Sequence, residues 1–199
     1  MLRDVLLVDP VFRVRHRTEV HYVNIYIFAD TSGSLFTESA DAGLPRDVDF
    51  AVSVAFSILR KFLQRRVRVK GVIGFFSDKE GDFTCGYAGG GCLTLHKYMR
   101  LPAKPYVDYL LLDETTVADL RADEVKLSTS TGGTDPAPLQ EHVFKKYGEP
   151  QLQFIVTDGH VPQPILTFGV PTYVYITPAG TTDVKCDGPC VVEKVARRQ

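Results

Sequence analysis

Three short segments of the chain carry residue types suited to one divalent-cation site. Asp30-Thr31-Ser32-Gly33-Ser34 follows the apolar run Val23 to Ala29. Gly132-Gly133-Thr134-Asp135 opens a stretch of helical spacing, and Thr157-Asp158-Gly159 closes the apolar run Leu152 to Val156. Together they supply carboxylates, hydroxyls and tight glycine turns, two of them at the ends of predicted strands. Oxygen-only donors favour Mg²⁺, Mn²⁺ or Ca²⁺ over zinc, which prefers nitrogen and sulfur. Any one of these segments alone is more ordinarily a helix cap or a closed turn. Their combination carries the argument.

Other chemistries find less support. The histidines are His16, His21, His96, His142 and His160, and no His-Glu-x-x-His spacing occurs among them. His160 directly follows Asp158-Gly159 and is placed by that position near any metal rim. Gly89-Gly90-Gly91 lacks the Lys-Ser/Thr of a phosphate loop, and no Gly-x-Gly-x-x-Gly follows the first strand. No Gly-x-Ser-x-Gly elbow is present, and no histidine is recognisably paired with Ser32. The cysteines form two local pairs, Cys85 with Cys92 and Cys186 with Cys190. Free thiols, local disulfides and a four-thiolate zinc site all remain open, since neither pair is a Cys-x-x-Cys.

The elements that must position these residues follow from periodicity. Residues 5–18 read as an extended edge segment. Tyr22 to Ala29 is β-branched, aromatic and almost uncharged, which predicts a central buried strand. A polar loop follows to about Asp47. Val48, Val52, Ala55, Phe56, Leu59 and Leu63 recur at helical spacing and predict a helix over 48–66. Asp47 and Asp49 at its start and Arg65 and Arg66 at its end suit the helix dipole. Strands are predicted at 67–76, 106–112, 151–157 and, as the last, 171–177. A short helix is expected over 115–124. A further helix runs from Pro136, which tolerates a first-turn position, to Tyr147, where Gly148 stops it. This alternation predicts an α/β, Rossmann-like three-layer sandwich around a mainly parallel central sheet. Ligands of such sheets bind beyond the carboxyl ends of the strands.

In this order and context, Asp30-x-Ser32-x-Ser34, the Gly-Gly-Thr134 loop and Thr157-Asp158-Gly159 resemble the von Willebrand factor A (VWA) domain. More narrowly, they resemble its metal-ion-dependent adhesion site (MIDAS), in a form most similar to prokaryotic VWA-like domains, some of which accompany AAA+ ATPases. The likeness covers roughly residues 20–177. It implies that Ser32, Ser34 and Thr134 bind the metal through their hydroxyls. Asp30 and Asp158 then act mainly through water or as close anions. One coordination position is left for an acidic residue of a partner protein. Asp135 takes no family role and is expected to cap the following helix. The cysteine-containing segment at about 77–127 and the long loop 35–47 depart from the family pattern.

The whole chain bounds these expectations. Its 199 residues suit one VWA-like domain, with an irregular insertion at 77–127 and a short C-terminal tail. With 44% hydrophobic and 24% charged residues it has the composition of a globular protein. A formal net charge of −1 offers no global attraction for nucleic acid or an anionic surface. The start, Met1 to Val5, suggests an intact gene product and lacks the features of a signal peptide, so a cytoplasmic location is expected. The leading expectation is a Mg²⁺-dependent protein-binding domain whose partner carries an acidic residue, an AAA+ ATPase being one class of partner. The alternatives are a metal-assisted hydrolase at the same site and an RNA-associated VWA module.

Overall fold

A computed structural model describes residues 22–37, 47–65, 67–77, 109–112 and 134–196. The expectations for residues 5–18, the helix at 115–124, Gly132, Gly133, Cys85 and Cys92 lie outside these residues, as does most of the 77–127 insertion.

The chain forms an α/β sandwich. Strand β1 (Val23–Asp30) leads to a helical turn α1 (Ser34–Thr37), then helix α2 (Asp47–Gln64) and strand β2 (Val69–Phe76). Strand β3 (Tyr109–Leu112), helix α3 (Ala137–Tyr147) and strands β4 (Leu152–Thr157), β5 (Thr172–Ile176) and β6 (Cys190–Lys194) complete it. The sheet order is β3-β2-β1-β4-β5-β6, with β3 antiparallel and every other neighbour parallel.

Strand β1 is buried on both faces, as its continuous apolar run requires. Ile25, Ile27 and Ala29 face α2 and meet Val48, Ala51, Val52, Ala55 and Leu59. The alternate residues Tyr26 and Phe28 face α3 and meet Leu139 and Val143. These two apolar clusters make the three layers. On the α3 side the helix approaches β2 closely because Gly74 has no side chain. A Cβ there would stand 2.7 Å from the Phe28 ring and 2.9 Å from Leu139.

Three local features differ from expectation. Residues 34–37 form a helical turn rather than open loop, and Leu35 is buried in the α2-side core. Strand 171–177 is not the last, because β6 adds a parallel edge to β5, pairing Thr172 with Cys190 through Ile176 with Lys194. Three of its five side chains are exposed, while Cys190 and Val192 pack in part against the α3-side core. Cys186 and Cys190 are joined by a disulfide, which settles that pair between the three readings and leaves it no thiolate for zinc. Among the described residues no helix is long and apolar enough to cross a membrane.

Candidate metal centre

The winding of the sheet reverses beside β1. The chain passes from β1 outward to β2 and β3, then returns to the other side of β1 as β4. Adjacent parallel strands whose connections leave in opposite directions open a crevice beyond their carboxyl ends. Ala29 pairs with Val156, so Asp30 and Thr157 follow side by side at the floor of that crevice.

The first loop is built around Asp30. Thr157 Oγ1 donates to Asp30 Oδ2 at 2.8 Å, and the Ser32 amide donates to Asp30 Oδ1 at 2.8 Å. The Thr31 amide donates to Phe76 O at 2.8 Å and pins the turn to the end of β2. Ser32 Oγ and Ser34 Oγ lie 3.1 Å apart. Neighbouring oxygens around an octahedral Mg²⁺, each about 2.1 Å from the ion, are themselves about 3 Å apart, so this pair suits one shared cation.

The second loop carries Asp158. Its Oδ1 accepts from the His160 amide at 2.9 Å, an Asx-type turn made possible by Gly159 at φ +83°. Its Oδ2 is buried and has no hydrogen-bond partner. The third segment reaches the crevice through the Asp135 amide, which donates to Ser77 O at 3.4 Å just beyond β2. Thr134 is buried next to it. Asp135 Oδ1 accepts from the Ala137 amide at 2.9 Å and so has the capping role expected of it.

Electrostatics within the crevice are unfavourable without a cation. Burial pushes the Asp30 carboxyl up to about 7, and the negative charge of Asp158 pushes in the same direction. Hydrogen bonds from Ser32 and Thr157 oppose this without cancelling it. Two neighbouring buried carboxylates, one with an orphaned oxygen, form a set that a bound cation would complete. Among the described residues no group of three His, Cys, Asp or Glu side chains suits a metal ion, so hydroxyls must supply part of any shell here.

All five residues expected from sequence border this one crevice. Asp30, Ser32 and Ser34 are linked in the first loop, and Asp158 acts on Asp30 through its charge. Ser34 and Thr134 line a single open cleft of about 600 Å³. Gly133 falls outside the described residues. Sequence reasoning gave no role to Thr157, although it bonds Asp30 directly. It also missed Thr181 and Asp183, which line the same cleft from the loop after β5. That loop is welded to the Asp158 turn. The Thr181 amide donates to Asp158 O at 2.7 Å, and a Cβ on Gly159 would stand 2.0 Å from Thr181 O. Nothing in the sequence around Pro178-Ala179-Gly180 signals this approach beyond the glycine itself. Asp47 and Asp49, read from sequence as suiting the helix dipole, are buried at the start of α2, where Asp47 Oδ2 accepts from the Ala179 amide at 3.4 Å.

No family model matches the chain, and neither a curated protein nor a solved structure matches it at a significant level.

Proposed function

We propose that the crevice is a divalent-metal site of the MIDAS type on a VWA-like domain, and that the chain uses it to bind an acidic residue of a partner protein. The observation that carries this reading is Asp158 Oδ2, a buried carboxylate oxygen without a partner beside a second buried carboxylate. Uncompensated buried charge is costly, and a cation is the simplest group that would relieve both aspartates together. Mg²⁺ suits the donor set best, because hydroxyl and carboxylate oxygens are its preferred ligands. Ser32, Ser34 and Thr134 would hold the ion through their hydroxyls, with Asp30 and Asp158 close by. Such a metal supplies positive charge to an incoming carboxylate. Ser34 and Thr134 line an open cleft, which supports access for a ligand from outside. An AAA+ ATPase is the partner class most in keeping with the resemblance.

The test is isothermal calorimetry with Mg²⁺ and Mn²⁺ on metal-stripped wild type and on Asp30→Ala. Saturable binding is expected in the wild type and its loss in the variant. A wild type that binds neither ion would sink the metal reading.

A second reading, metal-assisted hydrolysis, leans on His160, an exposed imidazole lining the same cleft. It predicts metal-dependent phosphatase or peptidase turnover that disappears in both Asp158→Ala and His160→Ala. No turnover across a substrate panel leaves the adaptor reading in place.

A further inference from the structure

The cleft in front of the crevice carries a carboxylate of its own. Ser34 and Thr134 line it together with His160 and Pro162. Thr181 and Asp183 line it from the loop after β5. Asp183 is exposed, and its backbone is held by a short chain of bonds. Its amide donates to Thr181 Oγ1 at 3.3 Å, and the Thr181 amide in turn donates to Asp158 O at 2.7 Å. The loop has little freedom to swing away. A Cβ on Gly180 would stand 2.2 Å from Asp158 O, and Lys194 Nζ donates to Gly180 O at 2.7 Å from β6. An exposed carboxylate on a tethered backbone therefore lines a cleft whose floor would receive another carboxylate.

We propose that Asp183 sets partner specificity, so that the cleft accepts a protein segment in which the metal-seeking acidic residue has a basic neighbour. This rests on the metal reading above. Near a surface, one like-charged contact replaced by an attractive one changes affinity by about tenfold. An acidic neighbour in the partner segment would meet Asp183 as a like charge and be rejected, whereas an arginine or lysine would pair with it. Discrimination arises from the repulsion as much as from the attraction.

The experiment uses an array of capped peptides, each with a central glutamate flanked by Arg, Lys, Ala or Glu, probed with the full chain in Mg²⁺ and again in EDTA. The expected wild-type result is Mg²⁺-dependent capture with basic flanks favoured about tenfold over acidic ones. In Asp183→Lys the preference is expected to invert. The Mg²⁺ affinity of Asp183→Asn is read separately by calorimetry. An unchanged flank preference in Asp183→Lys would overturn the proposal, as would capture of no peptide by a wild type that binds Mg²⁺. A large fall in Mg²⁺ affinity in Asp183→Asn would overturn it too, since Asp183 would then belong to the metal. A wild type that binds no Mg²⁺ removes the metal reading itself.

Discussion

Strand β4 carries a buried polar cluster at each end, and the two are completed differently. At its start, Gln153 faces Gln140 of α3. Gln140 Nε2 donates to Gln153 Oε1 at 3.2 Å and to Leu166 O at 2.9 Å, while Gln140 Oε1 accepts from the Leu166 amide at 3.3 Å. Gln153 Nε2 donates to Leu166 O at 2.7 Å and to Thr172 Oγ1 at 3.4 Å. Every amide nitrogen and oxygen of the pair has a protein partner. At the far end Asp30 and Asp158 are as deeply buried, yet Asp158 Oδ2 has none. A neutral cluster closed on itself holds α3 and the 165–170 loop to the sheet. The anionic cluster at the other end, left open, is the one for which a ligand is proposed. Mutations at the two ends should therefore behave in opposite ways.

The largest expected difference is in pH dependence. Below its ordinary value of 3.8 the Asp30 carboxyl is protonated whether the chain is folded or not, and its own contribution to stability is at its fullest. As pH rises, the unfolded chain ionises first and the folded one only near about 7, so the metal-free protein loses stability across that interval, by several kcal/mol in all. Urea unfolding of metal-stripped wild type and Asp30→Asn at several pH values would show it, the variant lacking this slope. Mg²⁺ binding, which needs the ionised carboxylate, should strengthen over the same range.

Next in size is Gln153→Ala, which strands Gln140 and leaves a cavity. A loss of about 3 kcal/mol in chemical denaturation is expected, with Mg²⁺ affinity little altered. Asp158→Asn should do the reverse. Mg²⁺ affinity is expected to fall 10- to 100-fold, on the order of what supporting ligand groups contribute, while the metal-free fold keeps or gains stability as a like charge is removed. If thermal unfolding finds Asp158→Asn as damaging to the metal-free fold as Gln153→Ala, the contrast between the two ends fails. The smallest effect is assigned to Ser34→Ala. Removal of one neutral oxygen from the shell should weaken Mg²⁺ about tenfold by calorimetry and leave unfolding unchanged.

Much of this was legible in the sequence. The runs at 22–29, 67–76 and 151–157 have no rival to a buried strand, and the helix ending at Gly148 is bounded by Pro136 and by a glycine at φ +80°. The candidate ligands could be named because strand-end Asp and Ser are distinctive once several occur in order. The amide cluster could not be foreseen, since Gln140 and Gln153 look like solvent-facing residues until both are known to face one carbonyl. Strand β6 was equally hidden. Cys190–Lys194 is five residues long, includes Glu193 and Lys194, and buries only Cys190 and Val192 in part, so it reads as a polar tail. The Asp183 rim depends on a loop-to-loop approach, and no local pattern encodes contact between segments more than twenty residues apart.

Gly159 and Gly180 leave no side chain between the turn that follows β4 and the turn that follows β5. Elsewhere in a protein a displaced loop can be absorbed by rotating methyl groups or shifting rotamers in the layer between. Here main chain bears directly on main chain, and there is no such cushion. Any ångström that Asp158 travels on taking up a ligand must be travelled by Thr181 as well, and the outer lip of the cleft would register the event like the far arm of a lever.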